Sequence, residues 1–140
     1  MAFALKTGKP EVEWFPKTSS TAISIGAVLE ADGSGAVNPA DSADVSLFGI
    51  SLRSVVSTDS DYATTAMIPC LVLNSNCTFE ADVITGSATA ALVGTKCDLA
   101  TSLGVDVTAT AHNQVTIVGF ISATKVVVRF NGSYQFRNAA

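Results

Sequence analysis

The chain has 140 residues, 12 acidic against 8 basic side chains and a formal net charge of −4, so it has the size of one domain with one core and hardly two. Its basic residues are scattered, which argues against tracking a phosphate backbone. Its longest apolar runs, such as Val126 to Val128, fall far short of the roughly 20 residues of a membrane-spanning helix. Charged residues make up 14% of the chain, well under the roughly 25% of an ordinary soluble domain. Interface cores are depleted of charge, so a covered surface is expected: a protein partner, or self-association.

Residues 1–20 carry Gly8, Pro10, Pro16 and the run Thr18-Ser19-Ser20. The prolines remove backbone donors and block a helix, which predicts an extended N-terminal arm. The arm also holds Phe3, Leu5, Val12, Trp14 (the only tryptophan) and Phe15. Such groups have to pack, either on the parent domain or on a neighbouring subunit. Lys6 and Lys9 follow only a few apolar residues, so no signal-peptide core is read here and a cytosolic product is expected.

From Ala22 the pattern has period two, with Ile23, Ile25, Ala27 and Leu29 on one side of a predicted strand and Ser24, Gly26 and Glu30 on the other. Ala31-Asp32-Gly33-Ser34-Gly35 supplies a hairpin-like turn. Val45 to Val56 and Thr65 to Leu73 are strand-like and separated by Ser57-Thr58-Asp59-Ser60-Asp61. Pro69 cannot donate to a ladder, which predicts an edge or a bulge there. Such an edge can be completed by another chain.

Cys77 to Val83 alternates again, with Cys77, Phe79, Ala81 and Val83 facing one way. Ser87 to Gly94 predicts one short helical turn, capped by Ser87 and closed by Gly94. Lys96 to Leu99, Val105 to Thr108, Gln114 to Ile121 and Lys125 to Phe130 complete the strands, the last burying Val126, Val128 and Phe130. Beyond Asn131 the tail carries Tyr134 and Phe136 as further anchors. Many short strands with frequent turns mean an all-β fold: a single compact β-barrel or β-sandwich, β-tulip or jelly-roll-like, with at most one or two short helical turns. The division is an arm at 1–20, a β-domain at 21–131 and a C-terminal extension at 132–140.

Catalytic chemistry is not legible. His112 is the only histidine, which excludes multi-histidine metal sites and reads as a solvated turn residue. Gly49-Ile50-Ser51-Leu52-Arg53 lacks the second glycine of a nucleophile elbow, and Gly94-Thr95-Lys96 departs from a phosphate-cradling loop. Asp59-Ser60-Asp61 opens like a calcium loop, but no glycine or closing glutamate follows, so turn capping is expected. Cys70, Cys77 and Cys97 form no paired knuckles and read as buried free thiols. Asn76-Cys77-Thr78 and Asn131-Gly132-Ser133 match the glycosylation pattern and read as turn chemistry. No enzyme, cofactor or metal is expected, and no nucleic acid or membrane partner.

Gly49-Ile50-Ser51, the polar turn after it, Ile68-Pro69-Cys70-Leu71-Val72 and Cys77-Thr78-Phe79-Glu80-Ala81 together resemble the capsid decoration (cement, head-stabilising) proteins of tailed bacteriophages. In those proteins a strand ending near Gly-Ile or Gly-Val is followed by a polar turn, an apolar strand and a pair like Phe79-Glu80. Leu92 to Leu99 and Ile121 to Phe130 extend the likeness over residues 22–131. The resemblance implies a virion protein, made in the host cytoplasm, that clusters on the capsid exterior as a trimer, or otherwise a dimer. It would bridge subunits of the major capsid protein and stabilise the shell by binding only the assembled form. Phe3, Leu5, Val12, Trp14, Phe15, Tyr134 and Phe136 are then the expected contact residues. One departure stands out: the arm of the lambda-type proteins is poor in hydrophobic anchors, whereas this one contains Trp14-Phe15. The alternative is a ligand-binding β-module, carbohydrate-binding or adhesin-like, although Trp14, Phe15, Tyr62 and Tyr134 are dispersed in sequence.

Overall fold

Alternating apolar side chains, interrupted by glycine- and aspartate-bearing turns, set the chain into short strands. A computed structural model of the chain describes residues 2–43, 47–73 and 76–131. Among these residues the strands are β1 (Phe3–Thr7), β2 (Val12–Pro16), β3 (Val28–Ala31), β4 (Val37–Pro39), β5 (Leu47–Ser51), β6 (Met67–Val72), β7 (Thr78–Thr85), β8 (Lys96–Thr101), β9 (Gly104–Asp106), β10 (Val115–Ser122) and β11 (Lys125–Phe130). The fold is all-β, as expected, with one 3-10 turn at Ala90–Leu92.

Two sheets carry the architecture. The first runs β1-β7-β11-β10-β8-β9, and a parallel pairing of β9 with the far end of β7 closes five of its strands into a barrel, leaving β1 as an added strand. Phe3, Phe79 and Phe130 meet inside it, with centroids 5.6 Å apart for Phe3–Phe130 and 5.7 Å for Phe79–Phe130. Leu99, Val105, Val115, Ile117, Val126 and Val128 fill the space around them. The second sheet runs β2-β6-β5-β3-β4. One of its faces gives Val28, Ile50 and Leu71 to the barrel core, while the other packs Leu29, Val37, Ile68 and Cys70 with Ile23 and Val55 in a smaller core. An added Cβ at Gly49 would stand 2.5 Å from the Leu71 carbonyl oxygen, so the close approach of β5 to β6 requires glycine there.

The N-terminal segment is extended, and the chain itself supplies its docking partner. β1 pairs with β7 (Phe3↔Ala81), and β2 pairs with β6 (Trp14↔Pro69). The expectation of an open edge at Pro69 is thereby corrected, because β6 lies between β2 and β5. The Pro69 carbonyl accepts from Leu52 N–H, just past the Ser51↔Cys70 pair where β5 ends. A strand residue's nitrogen and carbonyl point to the same side, so the donor that Pro69 lacks falls opposite Leu52, one residue past the end of β5, and only the terminal bond of that pairing is missing.

Three further expectations need correction. The alternation from Ala22 does not form one strand: Gly26 takes φ +85° in a turn, Ile23 makes only an isolated bridge to Val55, and regular pairing begins at Val28. The helical turn exists, but Thr89 and not Ser87 stands at its N-cap, without a side-chain cap bond. The strand expected over Val45 to Val56 stops at Ser51, with Val55 in only the isolated bridge to Ile23; Val45 lies outside the described residues. The hairpin at Asp32 holds as read, its carboxylate accepting from Thr18 and Ser34 hydroxyls and from the Ser34 and Ala36 N–H groups. Those bonds, led by that from Thr18, hold the Asp32 carboxyl down at about 2.

Lys17, at the end of β2, is completely buried. Its Nζ donates to Thr18 O at 2.9 Å and Tyr62 O at 2.6 Å and stands 5.5 Å from the centroid of the Tyr62 ring. A parallel bridge joins Lys17 to Val37, with Thr18 N–H donating to Val37 O, and so brings β2 against β4, the opposite edge of its own sheet. Burial pushes the ammonium below its ordinary value; the Asp61 carboxylate opposes that shift and Arg53 adds to it. Replacing Lys17 by Met keeps the stem but takes the ammonium donor from Thr18 O, while Tyr62 O keeps the Ser20 N–H, so Lys17→Met is expected to lose about 1–3 kcal/mol, read by urea denaturation.

Cys70, Cys77 and Cys97 are buried and free, as read from the sequence. Burial pushes Cys70 and Cys97 up to about 12, from an ordinary value of 9.0. The folded chain therefore keeps protons that an unfolded thiol releases at lower pH. The stability these groups contribute is complete below about pH 9 and is lost between about 9 and 12. Comparing urea midpoints at neutral and alkaline pH, a Cys70→Ala, Cys97→Ala double variant is expected to lose less stability than the parent as pH rises through that window.

Candidate protein-interaction surface

The register of β2 against β6 decides which anchors face solvent. Directly opposed residues share a face, so Val12, Trp14 and Pro16 lie on one side with Leu71, Pro69 and Met67. Glu13 and Phe15 lie on the other side with Cys70 and Ile68. Leu71 is covered by the barrel, but the sheet overhangs the barrel beyond it. Val12 is 52% exposed, Trp14 59% and Met67 47%, and together they form an apolar strip along the edge of the sheet. A tryptophan so placed is the kind of group that anchors interfaces.

The seven expected contact residues separate into distinct groups. Phe3 is fully buried in the barrel, so as an interface anchor it is corrected to a core residue. Phe15 stacks on Phe48, with centroids 5.2 Å apart, and packs against the smaller core. Leu5, on β1, is partly exposed but belongs to the other sheet. Val12 and Trp14 remain, on one face of one strand. Tyr134 and Phe136 lie outside the described residues. Met67 joins the strip although its sequence position gives no hint of it, because only the pairing Pro16↔Met67 brings it there.

The polar candidates are engaged in local structure. Asp59 accepts from Val56 N–H, which is the turn capping expected of it, and Asp61 forms an ion pair with Arg53. Among the described residues no group of three His, Cys, Asp or Glu side chains is arranged to hold a metal ion. His112 is only partly solvated, because the carboxylate of buried Asp98 stands beside it. Asp98 Oδ1 accepts from the N–H groups of His112 and Asn113 at 2.8 and 2.6 Å, and Oδ2 lies 3.4 Å from His112 Nδ1. This pairing fixes the turn before β10 and was not legible, since fourteen residues separate the partners.

No protein-family model and no curated protein matches this chain. The exposed strip along β2 and the start of β6 therefore carries the functional reading by its geometry.

Removing an exposed side chain leaves the core intact, whereas removing a buried one opens a cavity. Trp14→Ser is expected to shift stability by no more than about 0.5 kcal/mol, whereas Phe3→Ala should cost about 3–5 kcal/mol. Thermal and urea unfolding of the two variants checks this contrast.

Proposed function

We propose that this chain is a structural protein of a virion, a decoration protein that binds the outside of an assembled bacteriophage capsid and bridges subunits of its major capsid protein. The observation that carries this reading is the apolar strip that Val12 and Trp14 on the edge strand β2 form with Met67 on the neighbouring β6, in a chain poor in charge. Desolvating such a strip rewards contact with another protein, and a tryptophan supplies the largest single increment. The likeness of residues 22–131 to tailed-phage decoration proteins supplies the identity of the partner. Copies self-associate on the shell, as trimers or dimers, and bind only where assembled capsid subunits stand side by side. Binding restricted to the assembled shell stabilises it by mass action.

The ligand-binding alternative draws less support. Trp14 and Phe15 point to opposite faces of β2, and Tyr62 lies against Lys17 at the smaller core, so these aromatics do not form one platform.

Purified protein is mixed with undecorated phage heads and imaged by electron microscopy. Regular added density on the outer surface is expected, together with greater resistance of the heads to heat. The Trp14→Ser protein, still folded, is expected to attach at least ~10-fold more weakly, the loss associated with a buried aromatic anchor. Unchanged attachment of that variant would count against the strip as the contact surface, and bare heads after mixing with the parent protein would sink the reading.

A further inference from the structure

The backbone of β2 adds to what its apolar face shows. Glu11 O accepts from Val72 N–H and Lys17 N–H donates to Ala66 O, so the odd-numbered residues spend their backbone groups on β6. Antiparallel pairing alternates strictly, and the N–H and C=O groups of Val12 and Trp14 therefore point away from the sheet. Pro10 and Pro16 on either side carry no donor, and beyond Pro16 the edge is covered where Lys17 bridges to Val37. What stays open is a short edge with donors at Val12 and Trp14 alone.

The side chains along this edge divide by chemistry. Val12 and Trp14 make one face apolar, while Glu11 and Glu13 are exposed on the other, and neither is a member of the ion pairs found among the described residues. Lys9 precedes them, leaving this face net negative.

We propose that β2 takes up its partner by strand addition: an extended segment of another protein, alternating apolar and basic side chains, pairs with the backbone at Val12 and Trp14. Its apolar groups continue the strip, and its cations stand opposite Glu11 and Glu13. A second copy of this chain is a poor occupant. A two-fold antiparallel pair centred on Glu13 sets Glu13 against its own copy, and one centred on Val12 sets Glu11 against Glu13. A pair centred on Trp14 needs the edge at Pro16, beside the bridge to Val37. Like charges directly opposed destabilise a pairing.

This inference rests on the reading of the β2 face as the protein-binding surface, and its test separates the two. A short capped peptide alternating valine and lysine is added at up to ~1 mM to the isotope-labelled full chain, and amide shifts and hydrogen exchange are followed by NMR. The amides of Val12 and Trp14 are expected to shift and to exchange more slowly. A valine–glutamate peptide should bind at least ~10-fold more weakly, and a Glu11→Lys, Glu13→Lys double variant, its fold checked by thermal unfolding, should reverse that order. Equal binding of the two peptides, shifts confined to other strands, or no movement at Val12 and Trp14 overturns strand addition. If the peptides fail while Trp14→Ser still weakens attachment to heads, strand addition alone falls. If Trp14→Ser attaches to heads unimpaired, the face itself is wrong whatever the peptides do.

Discussion

The end of β2 must satisfy two neighbours at once, and the ammonium of Lys17 is the group that lets it do so. Its backbone bridges to β4 while its Nζ ties two carbonyls, one of them from the loop between β5 and β6. A buried cation without a carboxylate in direct contact is costly, and it persists because its donors are met by carbonyl oxygens and the ring of Tyr62. With both edges of the second sheet brought together at this point, Phe15 is held against Phe48, and the opposite face of β2 is turned outward. Lys17 lies on the same face of β2 as Phe15, so its burial agrees with the register that leaves Trp14 outward.

The two sheets share one core without sharing strands. Val28, Ile50 and Leu71 reach from the second sheet into the barrel, and Val28 N–H donates to Ser102 O in the turn between β8 and β9. This dovetailing makes the described residues a single packing unit, so residues 2–20 are structurally continuous with the rest. The three thiols act within the unit as small apolar groups, two in the barrel core and one in the smaller core.

Much of this was legible in local pattern. The alternation over Cys77 to Val83 and Lys125 to Phe130, and the Asp32-Gly33 turn, translated directly into β7, β11 and the β3–β4 hairpin. What failed were inferences that depended on a distant neighbour. Pro69 looked like an edge because nothing in its vicinity says that β2 will cover β6, and the run from Ala22 looked like a strand because its period was right while a turn at Gly26 broke it. Trp14 and Phe15 stand out in the sequence as large apolar groups, but their division into one outward and one inward group depends on register. Met67 was missed for the same reason, and Phe3 was misassigned because a phenylalanine in an extended segment looks the same whether it anchors a partner or fills the chain's own barrel.

The long reach of the first two strands also shapes how the molecule comes into being. β1 pairs with residues around Ala81 and β2 with residues around Pro69, so these two strands leave the ribosome well before the strands they dock against. At about 5–20 residues per second that interval lasts several seconds, during which Phe3, Trp14 and Phe15 stay uncovered in the nascent chain. Closure of both sheets is accordingly a late event dominated by distant pairings, the regime in which β proteins fold slowly. Pro10 and Pro16, which limit the donors on β2, also shorten the stretch of that waiting strand that can pair with another chain.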